Sequence, residues 1–337
     1  MSALDLEKLL APVGEGDPCG PDLEDDPKFV DLFILARGKP ERQMGDAIVP
    51  AEPPDWGAVR QASLALLERT RDLRIGELLA QALLRTDGLA GFAEGLALLR
   101  AWIGGMWDEV HPRLDPADPD PIVRANTLAN LASHDRTLTA VRDAVLVAAP
   151  RAGRYSFRDA LIATGKLSPP ADLEGEPPSA SLLDAAFREV PVEEIRATAE
   201  TLDRALAETG GILGAMQEKV GVSNSVDLGE LTAMLRTVHQ YVAEQLARRV
   251  EEGVEGAAAA GVTGSGPPGA IRTRDDVVRT LDRLIEYYLR NEPASPVPLL
   301  LRRAKRLTGK SFLEIIRDIA PAGLTEVEAI RGPEESG

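Results

Sequence analysis

Apolar positions recur at helical spacing over most of this chain. From Asp55, which suits an N-cap, Val59, Ala62, Leu66 and Leu67 share one face. Asp72 opens a second helix whose inner stripe is Leu78, Leu79, Ala82 and Leu83, and Gly88 stands where a helix-ending glycine belongs. A third helix starts at Leu89, carries Phe92, Leu96, Leu99 and Ile103, and ends near Trp107. Asp120-Pro121 begins a fourth, with Val123, Leu128 and Leu131 expected inside. Val145, Leu146 and Val147, with Tyr155, are compatible with a short β element. Ser156-Phe157-Arg158-Asp159 reads as a capping box for the helix that follows.

Further on, the spacing tightens to an alternating three and four. Val192, Ile195, Ala199, Leu202 and Leu206 form one seam, and Leu228, Leu231, Leu235, Val238 and Val242 form another. A Gly-rich turn around Gly210–Val222 would join the two helices. Such a seam needs a partner, either a second copy of the hairpin through Leu231 and Leu235 or ordinary packing within one domain. The last block, from Thr273, places Val277, Val278, Leu281, Leu284, Ile285 and Tyr288 on a wide apolar face. Residues 291–298 are a Pro-stiffened turn, and helix resumes over Leu299–Leu307 and again from Ser311.

Pro, Gly and acidic residues punctuate this pattern. Residues 11–27 and 38–55 read as irregular. The expected division is a helical N-terminal domain over 1–165, a linker over 166–186 and a helical hairpin domain over 187–250. A flexible linker over 251–270 then precedes a C-terminal oligomerisation domain over 271–332. The fold class is all-α. The C-terminal block is too small to bury much surface alone, which favours docking or self-association.

Composition narrows the function. The 337 residues carry 54 acidic and 38 basic side chains, a formal charge of −16, with one cysteine and three histidines. A lone Cys19 forms no internal disulfide, and its acidic neighbours disfavour the thiolate. The acid excess disfavours nucleic acid. No apolar run reaches the roughly 18 residues of a membrane-spanning helix, and residues 1–10 lack a signal-peptide core, so a cytoplasmic protein is expected. The charge is uneven. Residues 270–337 hold 12 basic and 11 acidic residues, whereas residues 1–269 hold 26 and 43.

Chemistry-bearing patterns are sparse. Gly309-Lys310-Ser311 has the tail of a phosphate loop, but the required earlier glycine is Ala304. His111, His134 and His239 are not at metal-ligand spacing, and the acids Asp22, Glu24, Asp25 and Asp26 read as a solvated loop. Trp56, Trp102 and Trp107 read as core or core rim. The run Arg302, Arg303, Lys305 and Arg306 reads as a solvated or intersubunit face. No catalytic residue, cofactor or metal site is expected.

An ordered series of short motifs adds a resemblance. Pro18-Cys19-Gly20-Pro21-Asp22-Leu23, Pro54-Asp55-Trp56, Thr70-Arg71-Asp72-Leu73-Arg74 and Gly88-Leu89-Ala90-Gly91-Phe92 resemble the ImpA N-terminal domain. So do Trp107-Asp108-Glu109-Val110-His111-Pro112 and Gly153-Arg154-Tyr155-Ser156-Phe157-Arg158-Asp159. Tyr287-Tyr288, Glu292 to Pro296 and Leu300 to Ala304 resemble the C-terminal domain of the TssA proteins of bacterial type VI secretion systems. The two stretches cover about two thirds of the chain.

The resemblance implies a non-enzymatic cytoplasmic assembly factor of a contractile machine. Its C-terminal domain would form a homo-oligomeric ring. Its partners would be the baseplate, the membrane complex, and the tube and sheath. The length, ending at Gly337, is similar to the family's shorter form. Within the motifs, Trp107, His111 and Pro112 are expected to fix a helix end and turn. Glu292, Pro293, Ser295 and Pro296, with Arg302 and Arg303, are interface candidates, although the Pro turn could equally only position the next helix. Two competing classes are an enzyme in a helical fold, whose signature of convergent His, Asp or Cys with a Gly-rich loop is not found, and a generic helical adaptor that shares the N-terminal domain alone and forms no ring.

Overall fold

The computed structural model describes residues 4–39, 41–44, 47–170, 175–259, 274–291, 296–308 and 310. The chain divides into two compact units, Met1–Ala259 and Ala260–Gly337.

The first unit is mostly helical. Short α1 (Leu6–Leu10) and α2 (Pro27–Arg37) lead to a small hairpin of β1 (Arg42–Met44) and β2 (Ala47–Val49). Residues 38–55, read as irregular, therefore contain paired backbone. Next come α3 (Trp56–Leu67), α4 (Leu73–Thr86) and α5 (Gly88–Gly105). Asp55 accepts from the Ala58 amide and Asp72 from the Arg74 amide, so both expected N-caps are made. Leu79, Leu83, Phe92, Leu96, Leu99 and Trp102 are fully buried and form the centre of the core.

Helix α6 (Ile122–Ala129) buries Leu128, and Leu131 is buried just beyond its end, but Val123 is 52% exposed. Fully buried Arg124 takes the inward position that the sequence pattern gave to Val123. One π-turn (His134–Leu138) leads into α7 (Thr139–Asp143). Strands β3 (Val145–Ala149) and β4 (Gly153–Ser156) pair antiparallel, and the Ser156–Asp159 capping box opens α8 (Phe157–Ala163). The all-α expectation is thus corrected by two short hairpins in a predominantly helical chain.

The stretch read as a linker ends in structure. Helix α9 (Ala180–Glu189) starts inside it, capped by Ser179. Helix α10 (Val192–Val220) then runs without a break through Gly210, Gly211 and Gly214, where a turn was expected. Burial explains the difference. Three interior glycines cost about 1 kcal/mol each. Fully burying Ile212 and Met216 returns about 2 kcal/mol apiece, and Thr209 is buried on the same face. Helix α11 (Gly229–Ala259) returns alongside.

The two seams close on each other. Leu202, Leu231, Leu235, Val238 and Val242 are all completely buried within the chain. Leu231 and Leu235, considered as dimer contacts, therefore have their partners inside the unit. The hairpin also packs against the helices before it. Arg100 of α5 pairs with Glu208, and the Tyr241 ring lies between Phe157 and Phe187, at 5.6 and 6.0 Å.

In the second unit, α12 (Arg274–Asn291) and α13 (Val297–Leu307) pack together, and Lys305 pairs with Asp282 at 2.6 Å. Ile285 is buried between exposed neighbours.

Candidate interaction surfaces

Three of the motifs quoted above, around Cys19, Arg71 and His111, converge on one buried knot. The Arg71 amide donates to the Cys19 carbonyl at 2.7 Å, the His111 amide to the Arg71 carbonyl at 3.0 Å, and the Leu73 amide to the His111 carbonyl at 2.8 Å. Thr70 Oγ1 donates to the Pro21 carbonyl at 2.9 Å, and His111 Nε2 donates to the Gly20 carbonyl at 2.8 Å. Three segments far apart in sequence are laced through backbone groups. Buried amides and carbonyls need partners, and this lacing supplies them without a regular sheet.

Two arginines complete the knot. Arg124 donates from Nε to the Pro112 carbonyl at 2.8 Å, from Nη1 to Trp107 at 2.7 Å and from Nη2 to Val110 at 2.6 Å. Burial lowers its pKa to about 10, so it remains a cation at neutral pH. Arg71 ties the N-terminal segment to α3. It donates to the Lys8 and Ala11 carbonyls at 3.1 and 2.9 Å and to the Leu67 carbonyl. Neither role was legible from the sequence, because a backbone carbonyl as partner leaves no residue-type signal.

The acidic loop is solvated, as read, but two of its carboxylates are also tied to Arg74. Arg74 lies against Asp72 at 2.8 Å, Glu24 at 2.8 Å and Asp22 at 3.2 Å, and over the Phe29 ring at 4.7 Å. Burial opposes its charge, but these carboxylates prevail and raise its pKa. The Cys19 thiol is pushed up first by its own burial and then by Glu109, which differs from the purely electrostatic cause expected. Trp102 and Trp107 are buried, and half-buried Trp56 lies under Arg85 at 4.3 Å.

An open groove of about 660 Å³ runs past the start of α5, α7 and α10. It holds no histidine or cysteine. Its Thr86, Thr139, Thr198 and Thr201 hydroxyls donate to helix carbonyls, and Asp143 pairs with Arg142. The groove therefore presents no nucleophile beside a base. Among the described residues no group of three or more His, Cys, Asp or Glu is placed to hold a metal, and no helix is long and apolar enough to cross a membrane.

Exposed apolar faces remain. One is on α2, at Val30 and Ile34. Others are on α6, at Ile122 and Val123, and on α12 and α13, at Leu284, Tyr287, Leu289, Leu299 and Leu300. Of the proposed interface residues, Pro296 and Arg302 are exposed and Arg303 is half-buried, all at or in α13, while Glu292, Pro293 and Ser295 lie outside the described residues.

Residues 10–133 match the family described as ImpA, N-terminal, type VI secretion system. The chain is 41% identical to the type VI secretion system component TssA1 of Pseudomonas aeruginosa, over 98% of this chain and 99% of that protein. A solved N-terminal domain of the TssA component of the type VI secretion system from Burkholderia cenocepacia, including its conserved ImpA region, superposes with a TM-score of 0.60 at 25% identity. It covers 74% of this chain and 97% of that one. With three of its N-terminal motifs gathered in one knot and a relative aligned along nearly its whole length, the chain belongs to the TssA family of type VI secretion system components.

Proposed function

We propose that the protein is a cytoplasmic, homo-oligomeric assembly component that works through surfaces and symmetry rather than catalysis. Its second unit forms a ring. Its first unit meets the baseplate, the membrane complex and the tube and sheath. The observation that carries this reading is the solvent exposure of α12 and α13. Leu299 and Leu300 are 68% and 66% exposed, and Leu284, Tyr287 and Leu289 add to that apolar surface. Large apolar surface on a short helical pair favours burial against further copies. The near balance of charge over residues 270–337 removes the electrostatic obstacle to close self-packing.

Deletion of residues 271–332 tests the reading. Light scattering should give a large assembly for the full chain and a monomer or dimer for the truncated one. A large assembly after truncation overturns it. Substituting Glu292 and Ser295 together distinguishes an interface turn from a positioning turn. Loss of assembly with an unchanged melting temperature assigns Glu292, Pro293, Ser295 and Pro296 to the interface, with Arg302 and Arg303 beside them. A lowered melting temperature assigns the turn to internal packing.

A further inference from the structure

The exposed face of α2 has a pattern that its own unit does not use. Positions 26, 30, 34 and 37 follow one another at spacings of four, four and three, which places them on one narrow helical stripe. Val30 and Ile34 occupy its middle and are 47% and 61% exposed. Acidic residues stand at its start. Asp26 caps the helix and pairs with Arg69 at 2.8 Å, and Asp25 beside it is exposed and makes no ion pair among the described residues. Arg37 stands at its end, equally exposed and equally without an ion pair among the described residues.

This stripe is complementary to itself when reversed. Laid antiparallel on a second α2 with Val30 opposite Ile34, it also brings Ile34 opposite Val30. In that register Arg37 of each copy falls beside residues 25–27 of the other. Arg37 of each copy then meets Asp25, just ahead of the other helix, at both ends of the pair. A parallel pairing would instead set Asp25 against Asp25 and Arg37 against Arg37. We propose that α2 makes an isologous, two-fold antiparallel contact between the first units of two copies of this chain.

The contact is small. Eleven residues span about 16 Å of helix, which limits the buried area to less than the ~1,200 Å² of a stable interface. It therefore acts between copies already held together, where effective concentration replaces affinity. In this respect it rests on the homo-oligomeric reading above.

Disulfide trapping in the full-length chain tests it. Val30→Cys and Ile34→Cys chains with different tags are co-expressed and mildly oxidised, and the native Cys19 is fully buried. The mixed dimer, one Val30→Cys chain joined to one Ile34→Cys chain, should exceed the two same-site dimers taken together, which random pairing of equal amounts would only equal. Adding Arg37→Glu to both chains should lower its yield several-fold, and adding Asp25→Lys as well should restore it. A mixed yield no greater than the summed same-site yields, or no trapping with circular dichroism unchanged, overturns the proposal. Light scattering on the same samples separates the two readings. A large assembly without trapping refutes the α2 contact alone, and trapping in a chain that weighs only a dimer refutes the ring alone.

Discussion

The guanidinium of Arg124 lies over the Trp107 ring at 4.4 Å while donating to the Trp107 backbone carbonyl at 2.7 Å. One side chain thus holds both faces of a turn that the α5–α6 connection must make. The positive charge has carbonyl dipoles rather than a carboxylate as its direct partners, and three of them share the load. Arg124→Lys should destabilise the first unit by about 3 kcal/mol or more. An ammonium cannot reach three diverging carbonyls, and each one left buried and unpaired costs about 1–3 kcal/mol. Urea denaturation followed by tryptophan fluorescence measures the loss. A variant within about 0.5 kcal/mol of the parent contradicts this account.

Gly20 and Gly88 provide a controlled comparison. Their φ angles are +70° and +68°, so alanine carries the same backbone penalty of about 1 kcal/mol at either place. Their surroundings differ. A Cβ at Gly20 would stand 2.2 Å from the Arg69 carbonyl oxygen, whereas one at Gly88 meets nothing within 4 Å. Gly88→Ala should therefore lose only the backbone term. Gly20→Ala should lose clearly more, because the clash also moves the carbonyl that accepts from His111. Similar melting temperatures for the two variants would remove the knot's packing as the reason.

These positions show which kinds of information were legible in the sequence. Local signals were. Asp55, Asp72 and the Ser156–Asp159 box each mark a helix start that the structure contains, because a cap acts within three residues. Signals overridden at long range were not. Gly210, Gly211 and Gly214 suggest a turn to a local reading, yet burial of Ile212 and Met216 carries α10 straight through them. Val123 fits an apolar stripe, but buried Arg124 occupies the inward position because carbonyls from residues 107–112 are there to receive it. The motifs identified the family while remaining silent on surfaces, since those that build the knot do so through buried residues such as Cys19, Arg71 and His111. The α2 stripe follows directly on the acids read as a solvated loop, in residues 28–37 for which no local pattern was read.

Glu77 makes stability depend on pH. It is 2% exposed, and burial pushes its carboxyl up to about 8, against weaker opposing effects from Arg136 and Gln81. Between the ordinary value of 4.5 and about 8, the folded chain keeps a proton that the unfolded chain releases. Stability from this group therefore falls as pH rises through that window and levels off above it, at a cost of a few kcal/mol. Glu77→Gln keeps the size and the polar contact with Gln81 but removes the titration. The variant should melt at a similar temperature to the parent near pH 5 and higher near pH 9. Parallel melting curves across that range would show that Glu77 does not titrate there.

Leu231 and Leu235 give the last prediction, and its sign follows from burial. A seam that joined two chains would respond to Asp at these positions by falling apart into folded monomers. Here both side chains are completely buried between α10 and α11 of one chain, so an Asp at either place brings a carboxylate into a dry core with no cation to meet it. The cost exceeds the roughly 2 kcal/mol of each lost leucine, and two such changes approach the whole stability of an ordinary domain. Leu231→Asp with Leu235→Asp should therefore abolish the cooperative melting of the first unit and reduce helicity by circular dichroism. The loss should extend to the tryptophan signal of the knot, because α10 packs along α5. A variant that kept its helicity and its melting transition while losing mass would return the seam to the surface between chains.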